Sequence, residues 1–223
     1  MTLKRGLDWL ACTLIVAVAF GGTAFDGAAS AITTDIPDLD LSYYETAATE
    51  PVSVFTVPDG QGNGFDAAFA YSGAVMDATI TLHLVDAQGA PFSGYPAEDM
   101  WLETTQDGLA PCPPDGSIAD ANTDANGMTQ WQEPLVAGGY TDPGNELTIV
   151  FVSGGALSQP PLDIYFNSPD LSGDGLVDIT DIAMFAQDLF GTYSYRSDFN
   201  WDGAINLSDV SFMTTRGIGA ECP

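Results

Sequence analysis

Between Val52 and Asn167, short runs of alternating apolar and polar residues recur between turn residues, and a period of two predicts strands. The clearest run is Ala78 to Val85, where Ile80, Leu82 and Leu84 alternate with Thr79, Thr81 and His83. One face of that strand should be buried and the other at least partly wet. Further strands are expected at Ser53 to Val57, Met100 to Thr104, Met128 to Gln132, Glu146 to Val152 and Leu162 to Phe166. The segments between them are rich in Gly, Pro, Asn and Asp, as turns require, and helical spacing is absent. This is the pattern of an all-β sandwich.

From Ser168 the period changes. Ile182, Phe185, Ala186, Leu189 and Phe190 fall at helical spacing and predict an apolar stripe. A second, shorter helix carries Val210 and Met213 in the equivalent places and is stopped by Gly217. Each helix follows a polar loop, and the loops are copies: Asp198 to Asp209 repeats Asp170 to Asp181 at an offset of 28 residues throughout. Each loop places oxygen side chains at positions 1, 3, 5, 9 and 12, glycine at 6 and a β-branched residue at 8, the spacing of an EF-hand calcium loop with Asp at position 12.

Calcium takes six to eight hard oxygen ligands, so one loop must wrap around the ion, and Gly175 and Gly203 permit the sharp bend. The spacing assigns Asp170, Ser172, Asp174, Asp178 and Asp181, with the Leu176 carbonyl, to one ion. Asp198, Asn200, Asp202, Asn206 and Asp209, with the Ala204 carbonyl, are assigned to a second. Four carboxylates in one loop and three in the other repel one another without a counter-ion, so metal binding and folding are expected to be one event. Asn122, Asp124, Asn126, Gly127 and Glu133 mimic the spacing, but Pro134 and Gly138-Gly139 forbid a following helix, and a β-turn is expected there.

The paired loop D-x-N-x-D-G-x-[VI]-[ND]-x-x-D over residues 168–223 resembles the dockerin family. That resemblance implies two calcium ions holding a small helical module that binds a cohesin-type domain, most often to place polysaccharide-degrading enzymes. By position it implies that Ile179, Thr180, Leu207 and Ser208 meet the partner. Ser172 stands where the family has Asn, and the helices lack the usual Lys and Arg at their ends. In the body, Asp86 to Gly94 and Thr123 to Gly127 are similar to turns of bacterial immunoglobulin-like domains of the invasin and intimin type. That similarity implies a rigid spacer or presentation domain. The expected fold is thus a mainly β, immunoglobulin-like sandwich followed by a small α-helical, dockerin-like calcium-binding domain.

Charge and termini narrow the function. Thirty-one acidic side chains face four basic ones, Lys4, Arg5, Arg196 and Arg216, so nucleic acid is excluded as a partner for lack of clustered cations. Lys4 and Arg5 precede an apolar run from Leu10 to Phe20 that ends in small residues, the pattern of a secretory signal cleaved after Ala24 or Ala31. The run is too short for a bilayer, which needs about 20 residues, so no membrane span is expected after its removal. The expected organisation is signal peptide 1–31, acidic segment 32–49, sandwich 50–167 and paired-loop domain 168–223, in a secreted or cell-surface protein.

Cys12 leaves with the signal, and Cys112 and Cys222 then pair with each other, stay free or pair with another chain; an exported context favours the first. No nucleophile motif accompanies His83, the only histidine, so no catalytic residue is assigned. Two alternatives to partner attachment stand. Trp101, Trp131 and Tyr140 could form a sugar-stacking platform, with acidic residues for glycoside hydrolysis, making the protein a polysaccharide-binding or polysaccharide-cleaving accessory. Alternatively the calcium module packs on its own sandwich as an intramolecular structural element.

Overall fold

The structure, a computed structural model, describes residues 36–223; the signal sequence, its cleavage sites and Cys12 lie outside the described residues. The strands are β1 (Tyr43–Thr46), β2 (Val52–Phe55), β3 (Ala68–Ala70), β4 (Val75–Met76), β5 (Ile80–His83) and β6 (Met100–Thr104), then β7 (Leu109–Pro111), β8 (Met128–Trp131), β9 (Ala137–Gly139), β10 (Thr148–Val152), β11 (Gly155–Ala156) and β12 (Ile164–Asn167). Two helices follow, α1 (Ile179–Leu189) and α2 (Leu207–Phe212), and a π-helical turn, Met213–Gly217, extends α2. Mainly β, sandwich-like sheets with a few short helices make up the fold.

β5 lies between β1 and β8, and β10 between β11 and β6, all antiparallel. A third sheet runs β12-β2-β3-β4, with β12 and β2 parallel, and β7 pairs with β9. The alternation of β5 is realised: Ile80, Leu82 and Leu84 are fully buried, while Thr81 and His83 lie half-exposed. They share a core with Val52, Val54, Met100, Leu102, Trp131, Val150, Val152, Ile164 and Phe166.

The structure departs from the sequence reading in four places. Tyr43–Thr46, assigned to an acidic segment ahead of the body, forms β1 and pairs with β5, because Tyr44 adds its ring to the core. The short strands β3, β4, β7, β9 and β11 were not anticipated; at two or three residues they are too brief to show a period. β6 spans Met100–Thr104 as expected, while β2, β5, β8, β10 and β12 shift at their ends, as at β12, which begins at Ile164 rather than Leu162. Phe190, placed on the apolar stripe of α1, is 87% exposed, since the helix ends at Leu189 and Phe190 is its cap.

β2 and β12 are buried along their whole length. Val52, Val54, Ile164 and Phe166 face the sandwich core, whereas Phe55, Phe69 and Tyr165 face a second cluster with Leu171, Val177, Phe185, Phe199, Trp201 and Met213. The helical segment thus covers the face of this sheet that a two-layer sandwich leaves wet. Phe55 meets Phe199 and Phe212 edge-on, and Phe185 stacks on Phe199. Polar ties cross the same boundary: the Ser53 and Tyr195 hydroxyls are 2.7 Å apart, and Arg216 donates to Asn63 Oδ1. Cys112 and Cys222 are joined as a disulfide with Cα atoms 5.5 Å apart.

Candidate metal centre

The two acidic loops follow the same backbone course. Gly175 and Gly203, at position 6 of each, take φ of 86° and 87°, left-handed values open to glycine. Their N–H groups donate to the first carboxylate of the loop, Gly175 to Asp170 Oδ2 at 2.8 Å and Gly203 to Asp198 Oδ2 at 2.9 Å. At position 12, Asp181 accepts from Ser172 and Asp178 N–H, and Asp209 accepts from Phe199 and Asn206 N–H. Asp178 and Asn206, at position 9, are also the helix N-caps, each closing a capping box with the acid three residues on. One spacing therefore builds the loop and starts the helix.

Position 4 is left-handed in both copies, Gly173 at φ 71° and Trp201 at φ 50°. A tryptophan there is strained. Trp201 is held by edge-on contacts to Tyr71, Tyr165 and Tyr195, which bury it almost completely.

Asp170, Asp181, Asp198 and Asp209 are fully buried. Neither arginine of the described residues is their partner: Arg196 pairs with Asp188 and Arg216 is bonded to Asn63. Burial, the largest cause, raises the carboxyls of Asp170 and Asp198 above the ordinary range. It pushes Asp209 up to about 6, with repulsion from Asp198 and Asp202 adding to it and N–H bonds from Asn206 and Phe199 opposing it. Asn200 Oδ1, at position 3 of the second loop, is buried with no hydrogen-bond partner.

Among the described residues no three Asp, Glu, His or Cys side chains gather about one point. The carboxylates are turned instead onto backbone N–H groups, Asp174 and Asp202 onto the N–H two residues ahead. The donor set of both loops is nonetheless all oxygen, and the orphaned Asn200 acceptor and four uncompensated buried carboxylates suit a hard cation. The residues that can hold one are those of the two repeats, with Asp174, Asp178, Asp202 and Asn206 at the more open side of each loop.

The other candidates lie as follows. Ile179 is 74% and Leu207 83% exposed, Thr180 is exposed and Ser208 half-exposed, at the first two positions of α1 and α2. Asn122 to Gly127 is a turn closed by Asp124 and leads into β8. Trp101, Trp131 and Tyr140 do not form one platform: Trp131 is fully buried, Trp101 stacks on Phe151 beside a cleft of about 490 Å³, and Tyr140 faces Arg196. His83 stacks flat on Tyr43.

No family model matches the chain, and no curated protein matches it. Among solved structures, the Lin-41 filamin domain aligns with 57% of this chain and 95% of its own length, at 17% identity and a TM-score of 0.28. Among the described residues no helix is long and apolar enough to cross a membrane.

Proposed function

We propose that this is an exported, non-catalytic protein whose two acidic loops bind two calcium ions, and whose loop-helix module attaches it to a cohesin-type partner. The observation that carries the calcium reading is the set of four fully buried carboxylates with no cationic side chain beside them. Buried charges need a counter-charge, and both loops offer only oxygen to supply its ligands. Bound calcium would neutralise the crowded acids and hold each loop against its helix. The partner reading rests on the likeness of the repeat to dockerins and on Ile179 and Leu207, two apolar side chains left in water at matching positions. Paired exposed apolar residues next to capped helix starts suit a docking face.

A second reading, calcium as an intramolecular staple, is favoured by the shared aromatic cluster and by the Cys112–Cys222 link between the body and the module. The two readings share the calcium sites and differ in the partner.

The test is calorimetric titration of the purified protein with calcium, followed by capture on an immobilised cohesin domain with and without chelator. Two ions per chain and chelator-sensitive capture, lost in Ile179→Asp with Leu207→Asp, are expected. Fewer than two ions contradicts the calcium reading, and calcium binding without capture leaves the staple.

A further inference from the structure

We infer that the β body sets the geometry of both loops through one clamp at the first residue of each, Gly139 on Asp170 and Asn167 on Asp198. This rests on the calcium reading above and adds residues that no ligand spacing contains. The Gly139 N–H donates to the Asp170 carbonyl at 2.8 Å. Asn167 Nδ2 donates to the Asp198 carbonyl at 2.7 Å. The two carbonyls occupy the same place in the repeat, position 1, where the chain enters the turn.

Both clamps are rigid because they belong to the sheets. Gly139 takes φ 78° on β9, paired opposite Leu109 of β7. Its neighbour Gly138 lies so close to the first loop that an added Cβ would fall 1.9 Å from Asp170 Oδ2, a distance no side chain tolerates. Asn167 ends β12 opposite Phe55 of β2, is fully buried, and its own carbonyl accepts from Thr56 N–H. Its Oδ1 has no donor in reach, so the side chain is held by the single bond to loop two. An amide buried with half of its capacity unmet is retained against a cost, and the Asp198 carbonyl is what it secures.

Fixing a position-1 carbonyl fixes the backbone from which that residue's carboxylate projects, before any ion arrives. Ordering done by the sheet does not have to be done by the cation, and affinity rises accordingly. The clamps differ in kind: that on loop one is main chain, admitted by Gly138, while that on loop two is a side chain. Asn167 and Gly138 are positioning residues, each for one site only.

The experiment is titration of the full chain and its variants, with calcium by calorimetry and with terbium by luminescence excited through Trp201, whose backbone is part of loop two. Wild type is expected to bind two ions. Asn167→Ala is expected to weaken one site at least tenfold, with loss of Trp201-sensitised emission, and to leave the other unchanged. Gly138→Ala is expected to weaken the other site at least tenfold and to retain that emission. Asn167→Leu keeps the side-chain volume but lacks the donor to the Asp198 carbonyl, and it is expected to give the same pattern as Asn167→Ala, so that a cavity left by truncation is not the cause. General damage to the structure would weaken both sites together. Equal weakening of both, or unchanged binding in all three variants, overturns the clamps while wild-type binding upholds the calcium reading; a wild type that binds no ion overturns both.

Discussion

Asp170, Asp181, Asp198 and Asp209 are buried without a cationic neighbour, and this has a signed consequence for pH. Asp209 moves from its ordinary 3.8 to about 6, and Asp170 and Asp198 move in the same direction, so the folded chain binds these protons more tightly than the unfolded one. Stability from such groups is full below the ordinary value and is lost as pH rises through the folded value. The metal-free protein should therefore melt at a higher temperature at pH 5 than at pH 7.5. The proposed calcium sites require the ionised form, so in excess calcium the order is expected to reverse. A metal-free melting temperature that falls on acidification between those values would contradict the account.

At this scale the sequence disclosed the loop residues, since Asp, Gly and Asn at fixed intervals can be read without a fold. It did not disclose Trp201 or Asn167. The left-handed Trp201 is sustained by Tyr71, Tyr165 and Tyr195, and Asn167 matters through a bond to a residue 31 positions away. Both depend on tertiary contacts that local spacing does not encode.

Among the elements, α1 shows what a stripe of apolar residues decides and what it does not. Phe185 is buried and stacked on Phe199, while Phe190, from the same stripe, stands in solvent past the helix end. Phe185→Ala is expected to cost about 3–5 kcal/mol in denaturant unfolding, and Phe190→Ala no more than about 0.5 kcal/mol. Equal costs would mean that the helix packs by its predicted stripe instead. The strands tell the same story from the other side. β5 was legible because one of its faces is wet, whereas β2 and β12 bury both faces and the second face meets residues that come later in the chain. No alternation remains in them to mark which neighbour they face.

The tail is the third element that matters. Cys222 N–H donates to the Gly175 carbonyl, and Val177 N–H to the Ala220 carbonyl, so the last residues pair along loop one and the disulfide ties that pairing to Cys112. Replacing both cysteines by serine is expected to lower stability by about 2–5 kcal/mol in denaturant unfolding. A change below about 1 kcal/mol would show that the link carries none of the fold.

For the molecule as a whole, the sheet β12-β2-β3-β4 is the shared wall: one side closes the sandwich core and the other receives the helices. With two packed clusters on one sheet, polar ties across the boundary and a covalent link, the body and the loop-helix segment are expected to unfold together. Ions held in the loops would then stabilise the β body as well, by about 2.7 kcal/mol per site at a hundredfold excess over the dissociation constant. The most direct measurement is thermal unfolding of the whole protein followed by circular dichroism at helical and aromatic wavelengths, in calcium and in chelator. A single transition at both wavelengths that moves to higher temperature with calcium is expected. A transition indifferent to calcium, or helices that melt apart from the aromatic core, would contradict it.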